Sequence, residues 1–535
     1  MSDSLKKWKK LYNEFRISFL KSSPLYRFSL DKRGYMLNPE RFINDPWSGD
    51  AIVGRNILNG IFVIRDREKS IDIIKALKSD DSLSISDIEY INSFVWIRDL
   101  QAIGGNNSRK YVRNVISEFI DLNHSIKMFW VLPSWNIKII ADRIVNWMMS
   151  FHFFASGSDD KFQRDVLCSI QEQFSHINKT YQIEDDPFTK LNALKSLFFC
   201  LCSMKGNHRR SIRGILSRIH DVIDESIDNF GMIINKNPND QFNMLRSLLE
   251  IRFMARSCDI EIDNDFFYRK LSEMASCVRF LRLGDGKLSG HSGNFLSSGF
   301  FIPRSHIIDT ALSLVDIQYF NENNNKIRGF ERISTKKVSI ILNTEIFNRR
   351  SHFNPIREPG LNIFDFEVSF MMDRLINRAD ISIVYNDRYR LKPSSSSNVF
   401  FTKKIIQDGV CFEGEMKNFN DAIQFAIRRE IVINKNLPKI NVSEFCLCSR
   451  KCDVYYRIVL NKDAVVEKIN NSSVLINNYK NEYLFNIVSS SINQRDIIVH
   501  NKDEETIYPS IIIFIKDMQG DEMQIDWSIE LLNKL

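Results

Sequence analysis

Apolar residues recur at helical spacing through the first half of the chain and alternate with polar ones in short runs through the second. The 3.6-residue period predicts helices over 86–102, 107–127, 136–155, 159–179, 187–204, 208–229, 239–257 and 263–280. Ser and Asp residues around Ser86, the pair Asp159-Asp160, and Asn239-Asp240 after Pro238 mark several of their starts. The connections are short, so about eight consecutive helices imply either an α-solenoid or an incomplete toroid of helical hairpins. No fixed-period repeat is present, which selects the toroid.

The second half reads differently. Strands are expected over 296–302, 311–319, 337–346, 363–370, 380–385, 398–406, 409–413, 430–434, 453–460, 472–477, 483–489, 496–500, 508–516 and 522–531. Phe364-Asp-Phe-Glu-Val-Ser-Phe alternates strictly and puts Phe364, Phe366, Val368 and Phe370 on one face. So many short strands imply a large antiparallel β-sandwich. Asp285-Gly286 is a tight-turn dipeptide and marks the hinge between the halves. Before the helices, residues 54–66 look like a short hairpin, preceded by a basic amphipathic helix. The expected organisation is therefore α+β and multidomain. It comprises an N-terminal segment (1–85), an (α/α) toroid (86–280) and a C-terminal antiparallel β-sandwich (281–535).

Composition narrows this little. At 535 residues the chain exceeds what one core accommodates. A net charge of +7 is small for that length and does not imply nucleic acid. The lysines near the N-terminus are not followed by an apolar h-region, which argues against a secretory signal peptide and for the cytoplasm. The apolar stretches 144–155 and 194–204 are too short to span a bilayer. Cys446-x-Cys448-x-x-x-Cys452 is the clustered set of thiols. A structural zinc would need a fourth ligand, and neither a second CxxC nor an HxxxH follows, so no metal or cofactor is assigned.

Several stretches in order carry a family likeness: SGDAIVGRNILNG (48–60), FVWIRDLQAIGG (94–105), LRLGDGKLSG (281–290), GFERISTKKVSIILNTE (329–345) and FDFEVSF (364–370). Together with the α-then-β order, they make the chain resemble the heparinase II/III-like proteins, in a divergent bacterial branch. The resemblance implies polysaccharide lyase chemistry on an acidic, uronic-acid-containing polysaccharide, and a place in the cell envelope. Removing the C5 proton of a uronate needs a neutraliser of the carboxylate, a general base and a proton donor to the leaving oxygen. The family fills these roles with an Asn-His pair and a Tyr from the toroid, plus a His before a sandwich strand. Carried over by position, the Tyr falls on Asp240, the Asn-His pair on Asp186-Pro187-Phe188, and the sandwich His near Gly360.

His352, in the loop entering the FDFEVSF strand, is the histidine a small shift of register would bring into the sandwich role, and is the candidate base. Trp96, Arg98 and Trp135 are candidate sugar contacts. An indole stacks on a sugar ring and a guanidinium holds a carboxylate at two points, although a Trp core and an Arg-Asp brace read the same way. A protein that keeps the fold and binds carbohydrate without cleaving it is the alternative.

Overall fold

Several helices begin where a side chain takes up their first N–H groups. The computed structural model describes residue 15 and residues 26–31, 33–64, 67–77, 83–125, 133–290, 303–315, 327, 329–345, 363–385, 389–391, 397–418, 423–479, 481–490, 495–501, 508–518 and 523–534. Within these lie α1 (Ala51–Leu58), α2 (Ile73–Leu77), α3 (Ile85–Ser93), α4 (Ile97–Ile103), α5 (Gly105–Ser125) and α6 (Ile137–Ala155). They continue with α7 (Asp160–Thr180), α8 (Pro187–Ser203), α9 (Arg209–Ser226), α10 (Pro238–Ser257), α11 (Asn264–Phe280) and α12 (Ser305–Ser313). Ser84 opens α3 with a capping box to Asp87. Asp159 accepts the Phe162 N–H at 2.7 Å at the head of α7. Asp186 accepts the Thr189 N–H at 2.9 Å before α8, whose first residue is Pro187.

Burial alternates along this series. α6, α8 and α10 are buried along nearly their whole length, whereas α7, α9 and α11 each keep a polar face open. α6 packs on α3, α4, α5, α7 and α8, and α8 packs on α6, α7 and α9. A helix apolar on every side needs neighbours all round, and the amphipathic helices supply them. Trp147 on α6 meets the rings of Phe94 and Phe119 edge-on at 5.2 and 5.6 Å, geometries that add about 0.5–1.5 kcal/mol each beyond burial.

The expectations for the N-terminal part need three corrections. The helix expected over 86–102 is two helices, α3 and α4, because Phe94 takes φ 56° and turns the chain between them. The hairpin expected over 54–66 begins late: 51–58 is α1, capped by Asp50, and only β1 (Ile61–Ile64) and β2 (Arg67–Ser70) form the hairpin. Gly54 lies inside α1 because a Cβ there would come within 2.3 Å of the Asp99 carbonyl oxygen; the glycine serves close approach rather than a turn. Part of the strand expected over 311–319 is helix α12. The N-terminal basic helix, apart from helical Phe15, and the strand expected over 296–302 fall outside the described residues.

The remaining strands are β3 (Phe330–Ser334), β4 (Val338–Asn343), β5 (Phe366–Phe370), β6 (Asp373–Tyr385), β7 (Tyr389–Arg390), β8 (Asn398–Ile406), β9 (Gly409–Asn418) and β10 (Phe425–Asn434). They are followed by β11 (Lys439–Cys448), β12 (Cys452–Leu460), β13 (Ala464–Lys468), β14 (Ser473–Asn478), β15 (Asn481–Ser490), β16 (Arg495–His500), β17 (Ser510–Met518) and β18 (Met523–Lys534). One antiparallel sheet runs β13-β14-β15-β18-β11-β10-β9-β8, and a second runs β16-β17-β12-β6-β5-β4-β3 with β7 on β6. Alternate residues of both enter one apolar core, in which Trp527 of the first sheet stacks on Phe366 of the second at 6.1 Å.

The described residues pack as two units, one drawn from 1–235, 239–275 and 294–320 and the other from 236–238, 276–293 and 321–535. No described helix is long and apolar enough to cross a membrane. The Asp285-Gly286 turn forms as a small hairpin, with Gly286 at φ 75° and an Arg282–Leu288 bridge. Gly284, just before it, donates its N–H to Ser369 Oγ at 2.9 Å, and a Cβ there would lie 1.7 Å from the Met371 carbonyl oxygen. Gly284→Ala is therefore expected to destabilise the β unit by about 1–3 kcal/mol in denaturant unfolding, through forced backbone displacement. Unchanged stability would show that this turn yields freely.

Candidate functional site

Helices buried on all sides should be apolar on all sides, and α6, α8 and α10 are not. Asp142 and Asn146 are i,i+4 on α6, Asn192 and Lys195 are i,i+3 on α8, and Asn243, Arg246, Ser247 and Glu250 recur over two turns of α10. Each set lies along one side of its helix. All are buried, at 0–7 % exposure, so these polar sides face protein.

Glu250 is the centre. Lys195 Nζ donates to its Oε2 at 2.6 Å, the Trp47 indole N–H donates to Oε1 at 2.7 Å, and Arg246 lies 3.6 Å from Oε1. Burial alone would raise this carboxyl. The charges of Lys195 and Arg246 and the two hydrogen bonds outweigh it and bring the pKa down to about 2. Lys195 also donates to Ser247 Oγ at 3.1 Å, and Ser247 donates to Asn192 Oδ1 at 2.9 Å. A buried ion pair of this kind holds position rather than adding much net stability.

A second cluster belongs to α4. Arg98 lies 3.2 Å from the buried Asp45 carboxylate and donates to Asn146 Oδ1 at 3.2 Å, while Asn146 donates to the Ser93 carbonyl. Asp99 accepts from the Asp50 N–H at 2.8 Å and from Arg304 at 3.0 and 3.4 Å. Arg304 keeps a third of its side chain exposed. Its guanidinium is held at two points by Asp99, with the Asp50 carboxylate 3.7 Å away.

Of the residues singled out from sequence, Arg98 joins this network, whereas Trp96 and Trp135 do not. Trp96 is fully buried, donates its indole N–H to the Ile91 carbonyl at 3.0 Å, and is enclosed by Phe62, Phe94 and Tyr111. Trp135 is 2 % exposed, donates to Asn123 Oδ1 at 2.9 Å, and meets His176 edge-on. Both indoles serve the core, and neither has a ring face open to a sugar. His352 lies outside the described residues. Asp240 is 1 % exposed and accepts from Asn235 Nδ2 at 2.9 Å.

The described histidines have other settings. His176 shares a hydrogen bond with the Tyr26 hydroxyl at 3.0 Å, His208 with the Lys205 carbonyl at 3.0 Å, and His220 stacks on Phe266. His124, His152, His306 and His500 are exposed. Cys446, Cys448 and Cys452 are all buried, with the last two sulfurs 3.1 Å apart. Among the described residues no three His, Cys, Asp or Glu side chains are grouped to hold a metal ion.

In the β unit two buried ion pairs brace the fold. Arg429 holds both oxygens of Glu444 and donates to the carbonyls of Phe364 and Ala379. Glu367, from FDFEVSF, accepts the Ser289 hydroxyl at 3.0 Å, the Gly290 N–H at 2.5 Å and Arg374 at 3.3 Å, tying the Asp285-Gly286 hairpin to β5. Its burial outweighs these partners and raises its pKa to about 7.

No protein-family model matches the chain, and no curated protein matches it in sequence. Its likeness is to solved structures. Heparinase III superposes with a TM-score of 0.62 at 9 % identity, over 93 % of this chain and 87 % of that one. A second heparinase III gives 0.50 at 9 % identity over 93 % and 86 %. The heparan sulfate lyase HepC of Pedobacter heparinus overlaps more loosely, at 0.47 and 10 % identity over 90 % and 83 %. The α-then-β architecture of this chain is the fold of heparinase III.

Proposed function

We propose that this chain acts on a uronic-acid-containing polysaccharide by β-elimination. The supporting observation is the heparinase III fold over 93 % of the chain, a match that takes in the helical region as well as the β-sheets. In the reaction a base removes the C5 proton, the C4–O bond breaks, and the product carries an unsaturated uronate. The carboxylate must first be neutralised, and Arg304, a third of whose side chain is exposed, is proposed for that role by exchanging its Asp99 partner for the uronate. His352 is the proposed base from the β half, on the family resemblance.

A second reading is a protein that binds such a polysaccharide without cleaving it. Asp240 favours it, since the family resemblance puts the Tyr role there and an aspartate has no phenol hydroxyl to donate the proton. Incubation with heparan sulfate, chondroitin, hyaluronan and alginate, followed by ultraviolet absorbance of unsaturated uronate, separates the two. Rising absorbance that His352→Ala abolishes is the expected result. Rising absorbance unaffected by that change keeps the lyase and removes His352. A flat trace accompanied by retarded migration in a polysaccharide gel supports the binding protein.

A further inference from the structure

The edge of a β-sheet is a row of backbone N–H and C=O groups open to another strand, and proteins cap such rows. Among the described residues, three outer strands of the β unit carry a cap. Asn501 takes both the N–H and the carbonyl of Val466 on β13, at 2.8 and 2.9 Å. Lys468 donates to the Ile497 carbonyl of β16 at 2.9 Å, and Lys403 donates to the Arg332 carbonyl of β3 at 2.7 Å. β8 is the exception. Among the described residues its backbone pairs only with β9, and it runs for nine residues at the end of its sheet.

Its side chains add a second signal. Phe400, Phe401, Ile405 and Ile406 keep 37–81 % of their surface open. Register with β9 puts Phe401, Lys403 and Ile405 on the face of the buried Phe412, and Phe400, Thr402 and Ile406 on the other. Lysines guard an apolar edge when pairing would bring their charges together out of water. Here both lysines are already answered: Lys403 lies 2.8 Å from Glu331 and Lys404 lies 3.7 Å from Glu413. Residues 400–406, Phe-Phe-Thr-Lys-Lys-Ile-Ile, also read alike in both directions about Lys403. Apolar residues stand two and three positions from it on either side.

We infer that β8 is a self-association edge, pairing antiparallel with β8 of a second copy of this chain about a two-fold axis at Lys403. Phe400 then lies opposite the partner's Ile406 on one face, and Phe401 lies opposite the partner's Ile405 on the other. Opposed residues of an antiparallel pair share a face, and this register satisfies that for all four apolar positions. Lys403 meets the partner's Lys403, each held to its own Glu331. A shift by one residue would set core-side residues against outward ones. The contact uses the same surface on both copies, so it closes at two and does not grow into a fibre. This assembly does not depend on the proposed reaction.

Sedimentation velocity of the full chain over a wide range of concentration tests this, and a reversible dimer without added polymer is the expected result. Phe400→Lys combined with Ile405→Lys, both at open positions, should weaken association at least about tenfold and leave the circular dichroism spectrum unchanged. Cross-linking tests the register. Lys403→Cys sets two thiols opposite each other, with Cα atoms about 4.5–5.5 Å apart and within disulfide reach. Diamide should link that variant into a covalent dimer. Neither the wild type nor Ile405→Cys should be linked, since the two copies of position 405 lie roughly 13 Å apart along the strands. A monomer at every concentration would overturn the assignment. So would a dimer that survives the double lysine change, one that Lys403→Cys fails to link, or one that forms only with added polysaccharide.

Discussion

Lys195→Met is expected to destabilise the helical unit by about 3–5 kcal/mol. Lys195 and Glu250 are both 1 % exposed and 2.6 Å apart. Removing the cation leaves a carboxylate with the Trp47 indole N–H at 2.7 Å and Arg246 at 3.6 Å, and with almost no water. It also removes a donor to Ser247, which sits one step from Asn192. The damage comes from the orphaned charge rather than from the lost pair. The double change Lys195→Met with Glu250→Met should therefore cost less than Lys195→Met alone. Denaturant unfolding followed by a helical signal measures all three proteins. A double variant weaker than the single one would show that the pair adds net stability.

Two buried carboxyls, one in each unit, should contribute to stability in acid in opposite senses. Glu250 has a folded pKa of about 2, below its ordinary value. Its stabilisation is complete above the unfolded pKa, about 4.3, and is lost as pH falls from there toward 2. Glu367 is the reverse, with a folded pKa of about 7. The folded β unit then binds more protons than the unfolded chain between about pH 4.3 and 7, so its stability is greatest below that window and declines as pH rises through it. Each effect is on the order of 3 kcal/mol. Calorimetry from about pH 8 down to pH 5 should raise the β unit's transition by the Glu367 contribution, while the Glu250 contribution to the helical unit is lost only in stronger acid. Glu367→Gln should flatten the first response and leave the second. A β transition unchanged by pH in the wild type would mean that Arg374, Ser289 and Gly290 hold the carboxylate ionised throughout.

The helices were legible because periodicity over three to six turns is a long signal, and α5 to α11 lie within three residues of their expected bounds. Shorter signals failed where tertiary contact decides. Gly54 reads as a turn in sequence and is a close-approach residue on a helix. β11 and β13 were absent from the expected strands, although Lys439–Cys448 alternates along its length. The α-then-β likeness was legible in ordered motifs, and at 9 % identity no single motif could have carried it.

The candidate site was much less legible. An indole for a sugar and an indole for a core are the same letter, and Trp96 and Trp135 went to the core. The network around Glu250 joins α8, α10 and the N-terminal segment across more than fifty residues of sequence. Its trace was present all the same, as charged and amide residues at i, i+3, i+4 and i+7 inside helices too apolar to face water.

Recognition of a uronate carboxylate is the central step of the proposed reaction, and one binding measurement addresses it. Calorimetric titration would compare a uronic-acid oligosaccharide with the same oligosaccharide after its carboxyls are reduced to alcohols. Binding of the first and at least a tenfold loss with the second, about 1.4 kcal/mol, is the expected result. Equal affinity for both, or heat from neither across the four polymer types, would contradict it.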